Sequence, residues 1–445
     1  MKKKTIFEKE ELTTYNQTFS YISETYYPKN VSELKKIIKK NLKNENFLLK
    51  TGNCGHGDKS SLDKSPSVIS LKKINFIGKI NKRQDVIKLG AGVMLFDLTM
   101  HLKKYGYFIF NVPGGKNVSL GGAISGNVHG RFSSKKFANF GDNVISLKIL
   151  DEKGRVRILN KKNKLFYRVI GGQSNFGIII EATLKLKKIK FYNFDEKKIF
   201  INNEKEFKKF NSSHEKYFGY INIFNRKNLQ INCTTITPLK ELKSNNLSFS
   251  MRDINLPNFF GIFLNKFSLK FLYFYLFKIK KYFSKKKYQI NFEKSIYVSN
   301  LIHNLPIFFK DGFIEIQISI EKKNLIKFIE ELKEIYFVYN LYPLFLILKR
   351  MSSSKKKYLF NFPKFEHSIS MGFSKSQFQN DKSFFVNLYQ IFEKYNCNLY
   401  VAKDETFLDC IDKNILKKKY LKDYGKIKPL PQTSNFYEKL KKILR

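Results

Sequence analysis

The chain has 445 residues, with 83 Lys and Arg against 37 Asp and Glu and a formal charge of +46; at about 150 residues per domain it holds two or three domains, each able to bury a core. Only nine of the basic residues are arginine, leaving 83 − 9 = 74 lysines, whereas nucleic-acid recognition favours the bidentate arginine fork. The lysine excess, with plentiful Asn, Ile, Phe and Tyr, therefore reads as compositional drift and argues against a dedicated nucleic-acid module, although so basic a surface still attracts phosphates and anionic membrane.

Cys54, Cys233, Cys397 and Cys410 lack Cys-x-x-Cys spacing and framework density, so neither a metal site nor a disulfide scaffold is expected. Residues Met1 to Tyr15 begin with a basic run but have no apolar leader core, which makes the cytoplasm the expected compartment. In chain order, Asn30 and Glu33 read as the capping start of a helix with Leu34, Ile37 and Ile38 on one face. Phe47 to Gly52, Ser67 to Leu71 and Asp85 to Gly90 read as strands. Leu95 to Gly106 reads as a helix with Leu95, Leu98 and Leu102 inward and Gly106 at its end. Tyr107 to Val112, Asn143 to Leu150 and Gly177 to Leu186 read as further strands, and Leu150 to Leu159 as a hairpin turning at Gly154. Past about residue 190 come Phe-, Tyr- and Lys-rich strands and helices, including Gly312 to Ile320, with isoleucines on one face and Glu315, Gln317 and Ser319 on the other.

Glycine divides the chain. Eighteen of the 23 lie in residues 1 to 180, leaving 23 − 18 = 5 in the rest. Glycine is kept where backbone must approach a ligand or adopt positive φ, so the ligand-holding part is expected in the first 180 residues. Gly90-x-Gly92 lies between a strand and a helix, but Leu95 stands at the third glycine position of a dinucleotide fingerprint and no acidic residue follows about 20 residues on. No phosphate-loop lysine motif is present either. Three stretches remain: Lys50 to Asp58, Pro113 to Gly130, and Gly171 to Leu184, whose successive loop amides can form anion nests. The stretch Asn258 to Phe283 is interrupted by Asn265, Lys266 and Lys270, short of the ~20 apolar residues of a membrane span, and is compatible either with a covered element or with a segment lying at a membrane surface.

The order of these loops, from KTGNCGHGD through VIKLGAGVMLFDL and VPGGKNVSLGGAISGNVHG to GGQSNFGIII, resembles the FAD-binding domain of the vanillyl-alcohol-oxidase, or PCMH, superfamily of flavoproteins. With FGDNV and the late LYVAKD, it is most similar to the decaprenylphosphoryl-β-D-ribose 2′-oxidases. The resemblance implies an α+β fold: a PCMH-type FAD-binding domain of two α/β subdomains over residues 1–186, an antiparallel-sheet cap or substrate domain over 187–395, and a C-terminal segment, 396–445, returning to the FAD domain. It implies that Gly52, Asn53, Cys54, Gly55, His56, Gly57 and Asp58 hold FAD, aided by Gly115, Lys116, Asn117 and Ser119. Gly121, Gly122, Ala123 and Asn127 then line the flavin, and the backbone of Ile178 and Ile179 reaches the cofactor. Lys403 corresponds to the family's catalytic lysine, with His129 as a second group at the reaction centre, while Glu315, Gln317 and Lys349 fall where the family meets the sugar phosphate.

The implied reaction oxidises a secondary hydroxyl of a sugar or lipid-phosphate sugar, hydride passing to the flavin; a separate NADH-dependent keto-reductase would complete an epimerisation. The implied location is cytoplasmic with peripheral contact at the inner membrane face. Three departures keep aldonolactone oxidation open as an alternative. Arg131 to Ser134 replaces the Lys-Asn-His-His usual in the ribose oxidases, Glu315 replaces one of two glutamines as in aldonolactone oxidases, and His56 replaces a tyrosine. His56 is also where some members bond FAD covalently, though packing against the ring edge, as tyrosine would, is the expectation.

Overall fold

In the computed structural model, residues 7–18, 20–41, 47–50, 67–151, 153–239, 265–279, 287–297, 309, 311–356, 358–403, 406–420, 439–440 and 442–443 are described. The chain divides into two units, the first made of Met1–Ile189, Lys355–Asn361 and Val401–Arg445, the second of Lys190–Ser354 and Phe362–Tyr400. The short return of Lys355–Asn361 to the first unit has no counterpart among the sequence expectations.

The first unit carries two four-stranded sheets. In one, β1 (Glu8–Thr13), β2 (Ser20–Tyr26), β3 (Phe47–Lys50) and β4 (Ser67–Ser70) run in the order β1-β2-β4-β3, with parallel pairing of β4 to both β2 and β3. Between β2 and β3 lies α1 (Val31–Asn41). It starts at Asn30, whose Oδ1 accepts the Glu33 N–H at 3.0 Å while the Glu33 carboxylate accepts the Lys29 N–H at 2.9 Å, so one orphan amide of the first turn and the amide just ahead of the cap are satisfied. Leu34, Ile37 and Ile38 are buried as their spacing requires.

The second sheet has the antiparallel order β5-β9-β7-β8, from β5 (Val86–Gly90), β7 (Val144–Leu150), β8 (Val156–Asn160) and β9 (Ile178–Lys185). The β7–β8 hairpin turns through Gly154 at φ +71°. After β5, α2 (Leu95–Lys104) buries Leu95, Leu98 and Leu102, each worth about 1.5–3 kcal/mol. The strand expected over Tyr107 to Val112 is only β6 (Tyr107–Phe108), paired with β10 (Lys187–Lys188), because Asn111 takes a left-handed φ of 60° and turns the chain. The glycine-rich stretch that follows is not bare loop throughout: Leu120–Ser125 forms α3, with the Ser119 side chain accepting the Gly122 N–H.

The second unit is built on one antiparallel sheet of eight strands, β14-β11-β13-β12-β16-β17-β15-β18. In chain order these are β11 (Asn193–Ile201), β12 (Tyr217–Ile221), β13 (Ile231–Pro238), β14 (Lys287–Asn291), β15 (Phe313–Ile320), β16 (Phe345–Arg350), β17 (His367–Ser374) and β18 (Asn398–Leu399). Its helices include α5 (Glu204–Ser213), α6 (Lys266–Phe274), α7 (Leu325–Val338) and α8 (Lys382–Lys394), while α4 (Lys164–Val169) belongs to the first unit. Ile314, Ile316, Ile318, Ile369, Met371 and Phe373 alternate onto one face of the central strands. Tyr336 of α7 and Phe384 of α8 pack with Phe373 at ring distances of 6.1 and 5.6 Å. The opposite face is mixed, with Glu315, Gln317, Ser319, Ser368 and Ser370 beside Phe313, Phe345 and Ile347.

Candidate functional site

In the first unit, the segment from Asn111 to Gly130 is folded into a clasp. Asn111 is fully buried; its Nδ2 donates to the Phe137 carbonyl at 2.7 Å, its Oδ1 accepts the Gly130 N–H at 3.3 Å, and its own N–H reaches the Phe132 carbonyl at 2.8 Å. A Cβ on Gly130 would lie 2.0 Å from the Val112 carbonyl oxygen, so glycine there is required by the crossing of two backbones. This fixes where half-buried His129 leaves the chain.

The amides that begin α3 are already engaged. Leu120 and Gly121 donate to the Val93 and Ala91 carbonyls at 2.8 Å each, and Gly122 to Ser119 Oγ at 3.3 Å. Gly121, Gly122 and Ala123 therefore offer a ligand no N–H donors, and Gly121 and Ala123 are buried. The preceding loop differs. Among the described residues the amides of Gly114 and Gly115 have no protein acceptor, and a Cβ on Gly115 would meet only Val118 Cγ2, at 4.0 Å. Internal packing therefore does not require a glycine at 115, whereas close approach of a ligand does. Beside it the Lys116 ammonium lies 5.3 Å from the Phe96 ring centroid, adding a cation to the donor set.

At the other end of α3, Asn127 is buried at a left-handed φ of 42°. Its Oδ1 accepts the Gly141 N–H at 2.9 Å, while its Nδ2 meets no acceptor among the described residues. The loop Gly171–Gly177 is latched to the same helix end: Gly171 and Gln173 donate to the Ile124 and Ser125 carbonyls at 3.0 Å, and Ser174 Oγ meets Ser125 Oγ at 2.8 Å. These bonds hold Gln173 and Ser174 at φ 53° and 64°, consecutive left-handed residues costing on the order of 1 kcal/mol each. Ile178 and Ile179 follow in β9, buried and paired with Leu150 and Ile149.

Two long-range contacts complete this unit. The Tyr358 hydroxyl donates to Asp142 Oδ1 at 2.9 Å, and Asp142 Oδ2 accepts the Ala138 and Asn139 amides at 2.8 and 3.1 Å. Burial, and then the Asp142 carboxylate, hold the Tyr358 phenol far above its ordinary pKa. It stays a neutral donor. The late segment returns against α3: a Cβ on Gly126 would meet the Ala402 Cβ at 3.4 Å, so half-buried Lys403 follows a residue seated three positions before His129.

In the second unit the register places Glu315, Gln317 and Ser319 of β15 opposite Gly372, Ser370 and Ser368 of β17, and Ser368 opposite Lys349 of β16, all on one face. Gln317 Nε2 donates to Ser368 Oγ at 2.9 Å, and Ser370 Oγ to Glu315 Oε1 at 2.6 Å. Gln317, Ser319, Ser368 and Ser370 are buried, so this is not the solvent-washed side of a strand. Tyr400 donates its N–H to the Gln317 carbonyl at 2.8 Å and stacks on Phe362 at 4.7 Å. Burial and then the Glu315 carboxylate push its phenol far up.

The first glycine loop, Gly52, Asn53, Cys54, Gly55, His56, Gly57 and Asp58, lies outside the described residues. Sequence patterns alone did not single out Asn111, Gln173, Ser174, Asp142 or Tyr358 as site builders. The signal available was an asparagine ending a short aromatic strand, since Asn tolerates left-handed φ.

FAD would bring a pyrophosphate that seeks N–H donors and a flat ring that needs thin walls. Among the described residues, the unengaged amides of Gly114 and Gly115, the open side of Gly115 and the buried Nδ2 of Asn127, which meets no acceptor there, fit such a group. Residues 23–160 match the family model of the FAD binding domain. These residues thus match an FAD binding domain, and FAD is the cofactor of this part of the chain. The chain is 31% identical over 122 residues to decaprenylphosphoryl-beta-D-ribose oxidase of Mycolicibacterium smegmatis, covering 27% of this chain and 26% of that protein. It is 27% identical over 175 residues to a putative D-arabinono-1,4-lactone oxidase of Neurospora crassa, covering 39% and 31%. The chain thus spans between a quarter and a third of the length of these two curated relatives. Over nearly its whole length the fold is that of Physcomitrella patens BBE-like 1, with a TM-score of 0.63 at 16% identity, covering 95% of this chain and 94% of that one.

Proposed function

We propose that the protein is an FAD-dependent oxidoreductase that oxidises a secondary hydroxyl of a sugar, the preferred substrate being a polyprenyl-phosphoryl pentose. The observation that carries the proposal is the seating of Ala402 against Gly126, which brings the Lys403 segment to the helix end bearing Asn127 and His129 in an FAD-binding domain. FAD, when bound, supplies a two-electron acceptor for the hydride of the carbinol C–H. Lys403 hydrogen-bonds the hydroxyl and stabilises negative charge as the C–H bond breaks. His129, or a water it holds, receives the hydroxyl proton, and a keto sugar leaves. In the second unit, Lys349 and Gln317 carry a cation and an amide, groups of the kind that bind a sugar phosphate. A separate reductase would return the hydride if the product is an intermediate of epimerisation.

Aldonolactone oxidation is the second reading, favoured by Glu315 on the same face and by the similarity to a relative named as a lactone oxidase. Anaerobic reduction of the FAD-loaded protein separates the two. Bleaching by a polyprenyl-phosphoryl pentose, without bleaching by L-gulono- or D-arabinono-lactone, is the expected result, and the reverse pattern rejects the lipid-linked substrate. A protein that neither purifies with flavin nor takes it up on reconstitution overturns both.

A further inference from the structure

The helix α6 of the second unit is apolar on both sides. Asn265 caps it, its Oδ1 accepting the Phe267 and Ser268 amides at 2.9 and 3.0 Å. Leu269, Tyr273 and, in the following turn, Phe277 are buried. Phe267, Phe271 and Phe274 lie within roughly 60° of one another at 100° per residue, and they are 83%, 64% and 54% exposed. Lys266 donates from Nζ to Asn340 Oδ1, tying the helix start to the end of α7, where Phe337 and Val338 are also exposed. Three exposed phenylalanines on one stripe are not solvent-face residues of an ordinary helix.

Cations surround the patch. Beside it is a cleft of about 450 Å³ with an aromatic floor including Phe224, Tyr273 and Phe277, lined also by Arg226, Lys227, Lys270 and Lys278 and, among the described residues, by no carboxylate. Arg226 lies 3.9 Å from the Phe337 ring centroid and pairs with Glu334 outside the cleft. Among the described residues no helix is long and apolar enough to cross a membrane, so this surface suits lying on one.

We propose that the outer face of α6, with Phe337 and Val338, docks on an anionic lipid bilayer, the rings entering the interfacial layer and the lysines meeting lipid phosphates. A second copy of the chain is a poorer occupant, because a two-fold interface would set the same cations against themselves. The inference does not depend on the reaction proposed above, and its test reads no turnover.

The chain contains no tryptophan, so Phe271→Trp in the intact 445-residue chain places a single reporter on the exposed stripe. Its emission should shift to the blue with phosphatidylcholine vesicles containing phosphatidylglycerol, and brominated acyl chains should quench it. Vesicles of phosphatidylcholine alone should leave it unchanged. In co-sedimentation, Phe267→Ser/Phe271→Ser/Phe274→Ser should lose about tenfold in partitioning onto the anionic vesicles, with an unchanged melting curve because the rings are exposed. The proposal is overturned by an unshifted, unquenched reporter, by equal partitioning onto both vesicle types, or by a wild-type dimer that the triple variant converts to monomer without losing lipid binding.

Discussion

Acid should destabilise the second unit through one histidine. His367 of β17 is fully buried; its Nε2 lies 3.0 Å from Asn211 Oδ1, which also accepts the Tyr217 hydroxyl at 2.8 Å. An acceptor at that position assigns the proton of the neutral ring to Nε2. Nδ1 has no partner among the described residues. Arg350 stands alongside, donating from Nη1 to the His214 carbonyl at 2.9 Å. Protonation would therefore put a second N–H against no acceptor, beside a guanidinium. Burial first, then Arg350 and Lys322, lower the His367 pKa from 6.5 to about 4. The unfolded chain keeps the ordinary value, so between those limits it binds more protons than the folded one, and stability falls as pH drops from about 6.5 towards about 4. At 1.36 kcal/mol per pH unit the full effect is about 3 kcal/mol, of which about 2 kcal/mol is lost between pH 7 and pH 4.5. Urea unfolding of wild type and His367→Gln at the two pH values isolates it, since the glutamine amide keeps a donor for Asn211 and does not titrate. The variant should lose about 2 kcal/mol less on acidification. Equal losses in both proteins refute the argument.

Gly115→Val should leave the apoprotein's melting temperature unchanged yet weaken FAD binding at least about tenfold in a fluorescence titration, whereas Gly130→Ala should destabilise the apoprotein itself because its Cβ meets the Val112 carbonyl oxygen; identical behaviour of the two variants counts against the ligand-facing role of residue 115. Lys403→Ala should stay yellow while anaerobic reduction by substrate slows by at least about a hundredfold, and an unchanged single-turnover rate removes Lys403 from the chemistry. Tyr358→Phe leaves Asp142 Oδ1 without its hydroxyl donor and should cost about 1–3 kcal/mol in urea unfolding; an unchanged midpoint shows that the link between these distant segments carries no stability.

Local signals in the sequence determined a good deal. Asn30 with Glu33 started α1, and Leu95, Leu98 and Leu102 at helical spacing chose the buried face of α2. The alternation through Glu315, Gln317 and Ser319 put them on one face of β15, and Gly154 marked the β7–β8 hairpin. These features depend on residues within one turn or one pleat of each other, where capping and period act directly. Asn265, read only as an interruption in an apolar run, is instead the cap of α6, and which of that helix's aromatics stay exposed depends on what the fold packs against it. Tertiary structure alone decided that Asn111 would knot three segments together, that Ser125 would hold Gln173 and Ser174 left-handed, that Asp142 would find Tyr358, and that Ala402 would settle on Gly126. Each of these joins groups far apart in sequence, and no periodicity records such a pairing; only closure of the intervening chain, with its entropy cost offset by the buried core, brings them within bonding distance.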